Sequence, residues 1–271
     1  MPSQGLVFYD LVGAHGGAFW SPNTWKTRLS LLHKGVDFEE REVTYMDLKE
    51  LASEIGVAQP TCPFIRLPSG EYMMDSWRIA EWLDKEYPDK PSLFLPDAPT
   101  PVDLSNPALL LARNYATAFT EGFGNSDSQW TTFLELSLPG IAASMPDLEP
   151  GVPNPNRVYF TSDEKLGMKD AWATFTSLDR PTLIERGKAC LLPLDLILSS
   201  SQYLSGNHPG FVDYIVYGRY HMMRATCPAD TEEVWLKPES LKHVAEWVKR
   251  IEKRWESELK DAMARLPKLE A

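Results

Sequence analysis

Cysteine is scarce, with three residues in a chain of 271. Cys62, Cys190 and Cys227 are odd in number and widely spaced, with no CxxC pair and no histidine at metal-ligand spacing. That excludes a disulfide framework and gives no metal site, and it fits a reducing compartment. Long apolar runs are missing as well: none reaches the roughly 18 residues a membrane span requires. Positive charge is in deficit, 27 Lys and Arg against 38 Asp and Glu, for a net charge of −11. A surface of that sign is poorly matched to nucleic acid or an anionic membrane, because neutralising phosphates needs a basic face. The first twenty residues contain no Lys or Arg, unlike the basic start of a secretory or mitochondrial signal, and no Asn-x-Ser/Thr sequon occurs. A soluble, cytoplasmic protein is expected. Dinucleotide (GxGxxG), Walker A and HExxH patterns are also missing, and no internal repeat is found.

What is present is an ordinary globular composition, 43% hydrophobic and 24% charged, with nine Trp, ten Tyr and eleven Phe to build a core or a ligand pocket. The length suggests two domains at roughly 150 residues each. A boundary is visible between Pro88 and Leu104, where PDKPSLFLPDAPTPVDL carries five prolines. Proline removes backbone donors and fixes φ, so neither a helix nor a central strand runs through such a stretch. The expected division is a domain over 1–88, a Pro-rich linker over 89–104, and a second domain over 105–271.

The first domain alternates strand and helix. Leu6 to Leu11 is an apolar run suited to a buried strand, followed by a glycine-rich loop from Gly13 to Ala18. Trp25, Leu29, Leu32 and His33 then recur at helical spacing until Gly35. Phe38 to Tyr45 reads as a strand and Met46 to Ile55 as a helix closed by Gly56. Phe64 to Leu67 and Tyr72 to Met74 form a hairpin, and a helix starts at Asp75-Ser76 with the stripe Trp77, Ala80, Leu83 and Tyr87. The order is β-α-β-α-β-β-α. Beyond the linker, helices are expected over 106–123, 130–143, 165–178, 181–203, 211–223 and 241–266, with an exposed loop over 146–156.

Three short patterns bear on chemistry. Ser21-Pro22-Asn23 is a helix start, Ser at the cap and Pro in the first turn. The same geometry favours an anion, and a thiolate placed there would be stabilised by the helix dipole, the Ser21 hydroxyl and the Asn23 amide. Cys62-Pro63 precedes a strand, where Pro marks a turn and a cis bond is affordable; the Cys62 backbone could then pair with an extended peptide, or Cys62 could be a small buried apolar group. Asp75-Ser76 opens a helix: it is either a simple cap or a site where free helix N–H groups take a carboxylate and Asp75 an ammonium. The Gly-rich loop reads as a flexible wall with no triad partner for His15.

Together, these three signals in this order, in a β-α-β-α-β-β-α domain joined to a helical one, resemble a cytosolic glutathione transferase over essentially the whole chain. The runs FWSPNTWKTRLSLLHKG (19–35) and DSWRIAEWLDKEYPD (75–89) are similar to the fungal etherase-type glutathione transferases, relatives of bacterial β-etherases that cleave lignin-type aryl ethers. The resemblance implies an α/β thioredoxin-like domain followed by an all-α domain, glutathione as co-substrate and a homodimer. It also implies attack by the glutathione thiolate on an apolar aromatic electrophile. Ser21 and Asn23 would hydrogen-bond the glutathione sulfur. Cys62, with Pro63 in cis, would lend its backbone to the cysteinyl unit, Asp75 and Ser76 would hold the γ-glutamyl end, and Gln59 would reach the glycyl carboxylate. Trp20, Tyr115, Phe119, Phe123 and Trp130 are candidate walls of the acceptor pocket. A non-catalytic carrier of aromatic molecules and a thiol-disulfide enzyme using Cys62 are the rival readings. Two departures stand out: a thiol at Cys62 where a hydrophobic residue is usual, and Gly210-x-x-Asp213 where the family has Ser/Thr-x-x-Asp.

Overall fold

A computed structural model describes residues 5–124 and 129–269. The first domain runs β1 (Leu6–Leu11), α1 (Pro22–Lys34), β2 (Phe38–Val43), α2 (Tyr45–Ile55), β3 (Phe64–Arg66), β4 (Tyr72–Met74) and α3 (Ser76–Glu86). The four strands lie in the order β2-β1-β3-β4; β1 pairs in parallel with β2, Leu6 opposite Phe38, and the other pairs are antiparallel. All six residues of β1 are buried, as expected of a central strand covered on both faces. This is a thioredoxin-like layer of sheet and helices, in the element order expected from hydrophobic periodicity.

The helical half follows as α4 (Pro107–Gly124), α5 (Thr132–Ala143), α6 (Pro155–Phe160), α7 (Asp163–Leu166), α8 (Ala171–Thr176), α9 (Arg180–Leu198), α10 (Phe211–Thr226), α11 (Pro228–Thr231), α12 (Lys242–Arg254) and α13 (Lys260–Ala264). Two expected helices are broken. The stretch 165–178 divides because Gly167 turns left-handed at φ 80° and Asp170 at φ 54°, while Asp163 accepts from the Asp170 and Ala171 N–H groups. The stretch 241–266 stops as a regular helix at Arg254 and resumes at Lys260; the apolar period continues because Leu259 and Met263 stay on one face through 5→1 turns. The long helix expected to reach Tyr203 ends at Leu198, where Ser199, Ser200 and Ser201 turn their hydroxyls back onto carbonyls of the last turn. Among the described residues no helix is long and apolar enough to cross a membrane.

The two halves meet where α1 packs on α10. Gly218 makes this possible: a Cβ there would stand 2.4 Å from the Pro22 carbonyl oxygen, so only hydrogen lets the backbones approach. Around that contact Trp25 lies 3.6 Å from the His221 ring and edge-on to Tyr217, and the Tyr214 hydroxyl is 2.6 Å from His33 Nδ1. Gly210 has a similar reason. A Cβ there would meet the Leu93 carbonyl at 2.8 Å and the Ser205 hydroxyl at 2.7 Å, so the usual Ser or Thr does not fit, and Asp213 alone reaches back to the Gly210 N–H.

Buried ion pairs tie α1 to the rest of its domain. Arg28 bridges Asp10 on β1 (2.8 Å) and Glu40 on β2 (2.6 Å), with its guanidinium over the Phe19 ring. Lys34 meets Asp84 of α3 at 2.8 Å, both fully enclosed. Removing one member of such a pair strands the others, at a cost of about 3–5 kcal/mol. Arg28→Met is therefore expected to lower stability by that amount in urea unfolding. Gly218→Ala should also destabilise: overpacking against a backbone carbonyl costs about 1–3 kcal/mol, more than the ~1 kcal/mol gained by removing a helical glycine. A Gly218→Ala protein as stable as wild type would contradict the close seam.

Candidate active site

At the junction of the domains lies a cavity of about 350 Å3. From the first domain it is lined by Pro22, Asn23 and Lys26 of α1, by Thr61, Cys62 and Pro63, and by Asp75 and Ser76. From the helical domain come Thr120 of α4 and Ile215 and Arg219 of α10. Three loops far apart in sequence thus converge because the C-terminal end of β1, the start of β3 and the end of β4 lie at one end of the sheet.

Ser21 caps α1 with its Oγ accepting from the Thr24 N–H at 3.4 Å, while the Thr24 hydroxyl donates back to the Ser21 carbonyl at 3.0 Å. The serine is buried one residue behind the lining, and since its oxygen only accepts here, its own proton is available to another acceptor. Asn23 is exposed on the cavity side. The Cys62–Pro63 peptide is cis. Asp75 adopts φ 78°, a conformation that costs a residue with a side chain of order 1–3 kcal/mol. It then caps α3, Oδ1 accepting from the Trp77 (2.8 Å) and Arg78 (3.0 Å) N–H groups. Those two amides are satisfied by the protein itself, which is the capping alternative of the sequence reading. The second oxygen of Asp75 makes no hydrogen bond among the described residues.

The residues that sequence reasoning missed carry the charge. Lys26 is only 9% exposed, and among the described residues its ammonium makes no hydrogen bond or ion pair. Burial, with Arg219 adding repulsion, pushes it down to about 8, against an opposing pull from Asp75. Burial pushes Arg219 down to about 10, so it remains cationic at neutral pH. Lys26 had a local signal, being three residues after Asn23 and so on the same helical face. Arg219 had none, because nothing in its neighbourhood of the sequence points to α1.

Other expected residues fall elsewhere. Gln59 is exposed and does not line the cavity. Trp20 is buried edge-on to Phe160 and also lies away from it. Tyr115, Phe119 and Trp130 form an edge-to-face ladder that continues to Phe133 and Trp235 in the helical core. Tyr115 and Phe119 share a face of α4 at a spacing of four and Trp130 lies beyond that helix; none of the three lines the cavity, and Tyr115 is exposed. The side chain of Phe123 lies outside the described residues. The Gly-rich loop is not a flexible wall: Gly16 N–H donates to Glu42 at 2.7 Å, Arg265 pairs with the same carboxylate, and His15 lies 3.0 Å from Asp47. Among the described residues no cluster of His, Cys, Asp or Glu is arranged to hold a metal.

A thioredoxin-like domain with a cis-proline loop facing a helical domain across one cleft is the architecture of the glutathione transferase fold. Residues 20–86 match the family described as glutathione S-transferase, N-terminal domain. Among solved structures the chain is similar to a glutathione S-transferase of Ceriporiopsis subvermispora crystallised with glutathione (26% identity, 99% of this chain and 100% of that one, TM-score 0.60). A second from the same fungus, also with glutathione, shares 24% identity over 93% and 98% (TM-score 0.63). Glutathione transferase GSTFuA3 of Phanerochaete chrysosporium shares 20% over 92% and 96% (TM-score 0.69). Residues 20–86 thus match that family's N-terminal domain, and the chain as a whole carries the glutathione transferase fold.

Cys62 lies in the cavity wall, yet burial pushes its thiol well up, with Asp10 adding to the effect and Lys165 opposing it. The thiolate is the nucleophile, so this cysteine should be inert near neutrality. At pH 7 an aromatic disulfide reagent is expected to modify native Cys62 far more slowly than a free thiol. Rapid labelling mapped to Cys62 would restore a thiol-disulfide role.

Proposed function

We propose that this protein is a glutathione transferase that holds glutathione in the inter-domain cavity and directs its thiolate at an electrophilic, aromatic or apolar acceptor. The observation that carries the reading is the convergence of Asn23, the cis Cys62–Pro63 peptide, Asp75 and Ser76 on one cavity with two cations, Lys26 and Arg219. A tripeptide with one ammonium and two carboxylates matches a site of mixed charge with a positive balance. Glutathione in the crystals of two fungal relatives supports the same ligand.

In this reading the Cys62 backbone pairs with the cysteinyl unit, Asp75 takes the γ-glutamyl ammonium, and the sulfur lies at the α1 N-terminus. A free thiol has a pKa near 8.5 and is only a few per cent thiolate at pH 7. Lowering it by about two units needs about 2.7 kcal/mol of differential stabilisation. A hydroxyl proton from Ser21, the Asn23 amide and the positive end of α1 are together of that size. The thiolate then attacks carbon and displaces a leaving group as an anion; for a β-aryl ether, the substrate class suggested by the sequence, that group is a phenolate. The mouth of the cavity beside Thr120 and Ile215 is the side from which the acceptor approaches.

Ser21→Ala removes a hydrogen bond to a charged group, worth about 1.5–3 kcal/mol. With an aryl halide or a β-aryl ether ketone and glutathione, kcat/KM is expected to fall about 10- to 150-fold, while glutathione binding persists. Undiminished turnover in Ser21→Ala would overturn the role of the serine. Glutathione binding with turnover of neither electrophile would favour the carrier reading.

A further inference from the structure

We propose that Arg265, in the turn after α13, is a positioning residue for thiol activation. It fastens the glycine-rich loop ahead of Ser21 and so sets where the serine hydroxyl and the α1 N-terminus stand against the bound sulfur. The inference rests on the reading of the cavity as a glutathione site and adds a residue that lies outside its lining.

Three observations lead to it. First, the stretch from Gly13 to Trp20 joins β1 to Ser21 with no helix or strand of its own, so its course is set by what holds it. A single-residue bridge between Val12 and Phe19 closes its base. The helical domain meets it on either side: a Cβ on Gly13 would stand 2.6 Å from the Ser144 carbonyl at the end of α5, and Arg265 donates to the Gly17 carbonyl at 3.3 Å. Second, Arg265 pairs with one oxygen of Glu42 on β2, whose other oxygen accepts from the Gly16 N–H at 2.7 Å. Burial works against the Glu42 charge, yet the Gly16 amide and Arg265 hold its carboxyl below the usual range, so the pair is ionised at neutral pH. Third, Phe19 carries two guanidinium groups over its ring, Arg265 at 4.5 Å and Arg28 at 4.6 Å from the centroid. Each arginine is tied to a glutamate of β2, Arg28 to Glu40 and Arg265 to Glu42, two residues apart on one face of the strand. The Phe19 carbonyl in turn accepts from the Trp25 indole at 2.7 Å. The residue two before Ser21 is thus held by both its ring and its backbone.

The two arginines differ in what they connect. Arg28 stands on α1 and moves with the serine, whereas Arg265 reaches the loop from the second domain. Its own place is fixed by α10: Arg224 donates to the Pro267 carbonyl at 2.6 Å, so the turn that carries Arg265 is moored to the helix packed on α1. Without this guanidinium, Glu42 keeps the Gly16 N–H and its 3.5 Å approach to His15, but the Gly17 carbonyl and the Phe19 ring lose their tie to the second domain. A hydroxyl proton acts on a thiolate only over hydrogen-bond distance, and a displacement of about 1 Å can cost about 100-fold in rate. The cis-proline loop and the α3 start, which hold the peptide in this reading, are not touched by Arg265. Its loss therefore falls on activation of the thiol and not on binding.

The test follows the thiol of bound glutathione by the ultraviolet absorbance of its thiolate, in wild type, Arg265→Met and Arg265→Lys, together with kcat and KM for an aryl halide. Wild type is expected to hold the bound thiol below its value in water. In Arg265→Met the bound thiol should titrate higher and kcat should fall about 10-fold or more, with KM for glutathione within about twofold. Arg265→Lys keeps a cation for Glu42 but cannot also cover Phe19 with a flat group, so it should recover part of the loss. Added to Ser21→Ala, Arg265→Met should cost less than about twofold further, because a residue that acts through the serine has nothing left to position. Thermal melts establish that the variants are folded; Arg265 and Glu42 both reach solvent, so neither change strands an enclosed charge. A bound thiol that titrates as in wild type in folded Arg265→Met, or in Arg265→Lys should the Met variant not fold, would overturn the positioning role. So would an undiminished loss when Arg265→Met is added to Ser21→Ala, which is the mark of general loosening. No glutathione bound by wild type, or a bound thiol no more acidic than in water, would instead overturn the glutathione reading itself.

Discussion

The close approach of α1 and α10 at Gly218 is the contact on which the site depends. Two walls of the cavity are fixed relative to it: Asn23 and Lys26 ride on α1, Ile215 and Arg219 on α10. A side chain at 218 would force the Pro22 carbonyl away, and Pro22 lies between the Ser21 cap and Asn23. The seam is closed by large aromatic surfaces, Trp25 against His221 and Tyr217, which gain far more from burial than from any single polar contact. Stability and ligand geometry therefore reside in the same packing.

Electrostatics in this chain are local rather than global. With a net charge of −11 the molecule as a whole repels an anionic ligand, and salt screens that field beyond about 8–10 Å. Inside the cavity the sign reverses, because Lys26 and Arg219 are withdrawn from water where charges interact strongly. Elsewhere buried cations are neutralised within the fold, Arg28 by Asp10 and Glu40, and Lys34 by Asp84. Lys26 is the contrast that gives the site its character.

Much of the first domain was legible along the sequence. Its signals are local: a continuous apolar run for β1, Ser-Pro and Gly around α1, a hairpin turn at Pro68-Ser69-Gly70, and Asp75 at the α3 start. The backbone of the candidate site was legible for the same reason, since caps and X-Pro bonds are properties of a few neighbouring residues. The helical domain was less so. Breaks at Gly167 and Asp170, and after Arg254, do not interrupt the apolar period, and periodicity was the only signal available there. For Tyr115 and Phe119, spacing identified a shared face of α4 and left open what that face meets; Phe119 meets Trp130, which in turn meets Phe133 in the core. The Gly-rich loop looked free because its restraints, Glu42 and Arg265, lie 26 and more residues away.

The sequence by itself determined the element order of the thioredoxin-like domain and the three short patterns that surround the cavity. Each is set by backbone preferences that act over one turn or one strand. Only the tertiary structure decided which helix N–H groups were already occupied, that Phe119 meets Trp130 and through it Phe133, and that a lysine of α1 shares a cavity with an arginine 193 residues later in the chain, at position 219. Those outcomes depend on the distance between helices. That distance is set by a missing Cβ at Gly218, whose effect exists only once the two domains are packed.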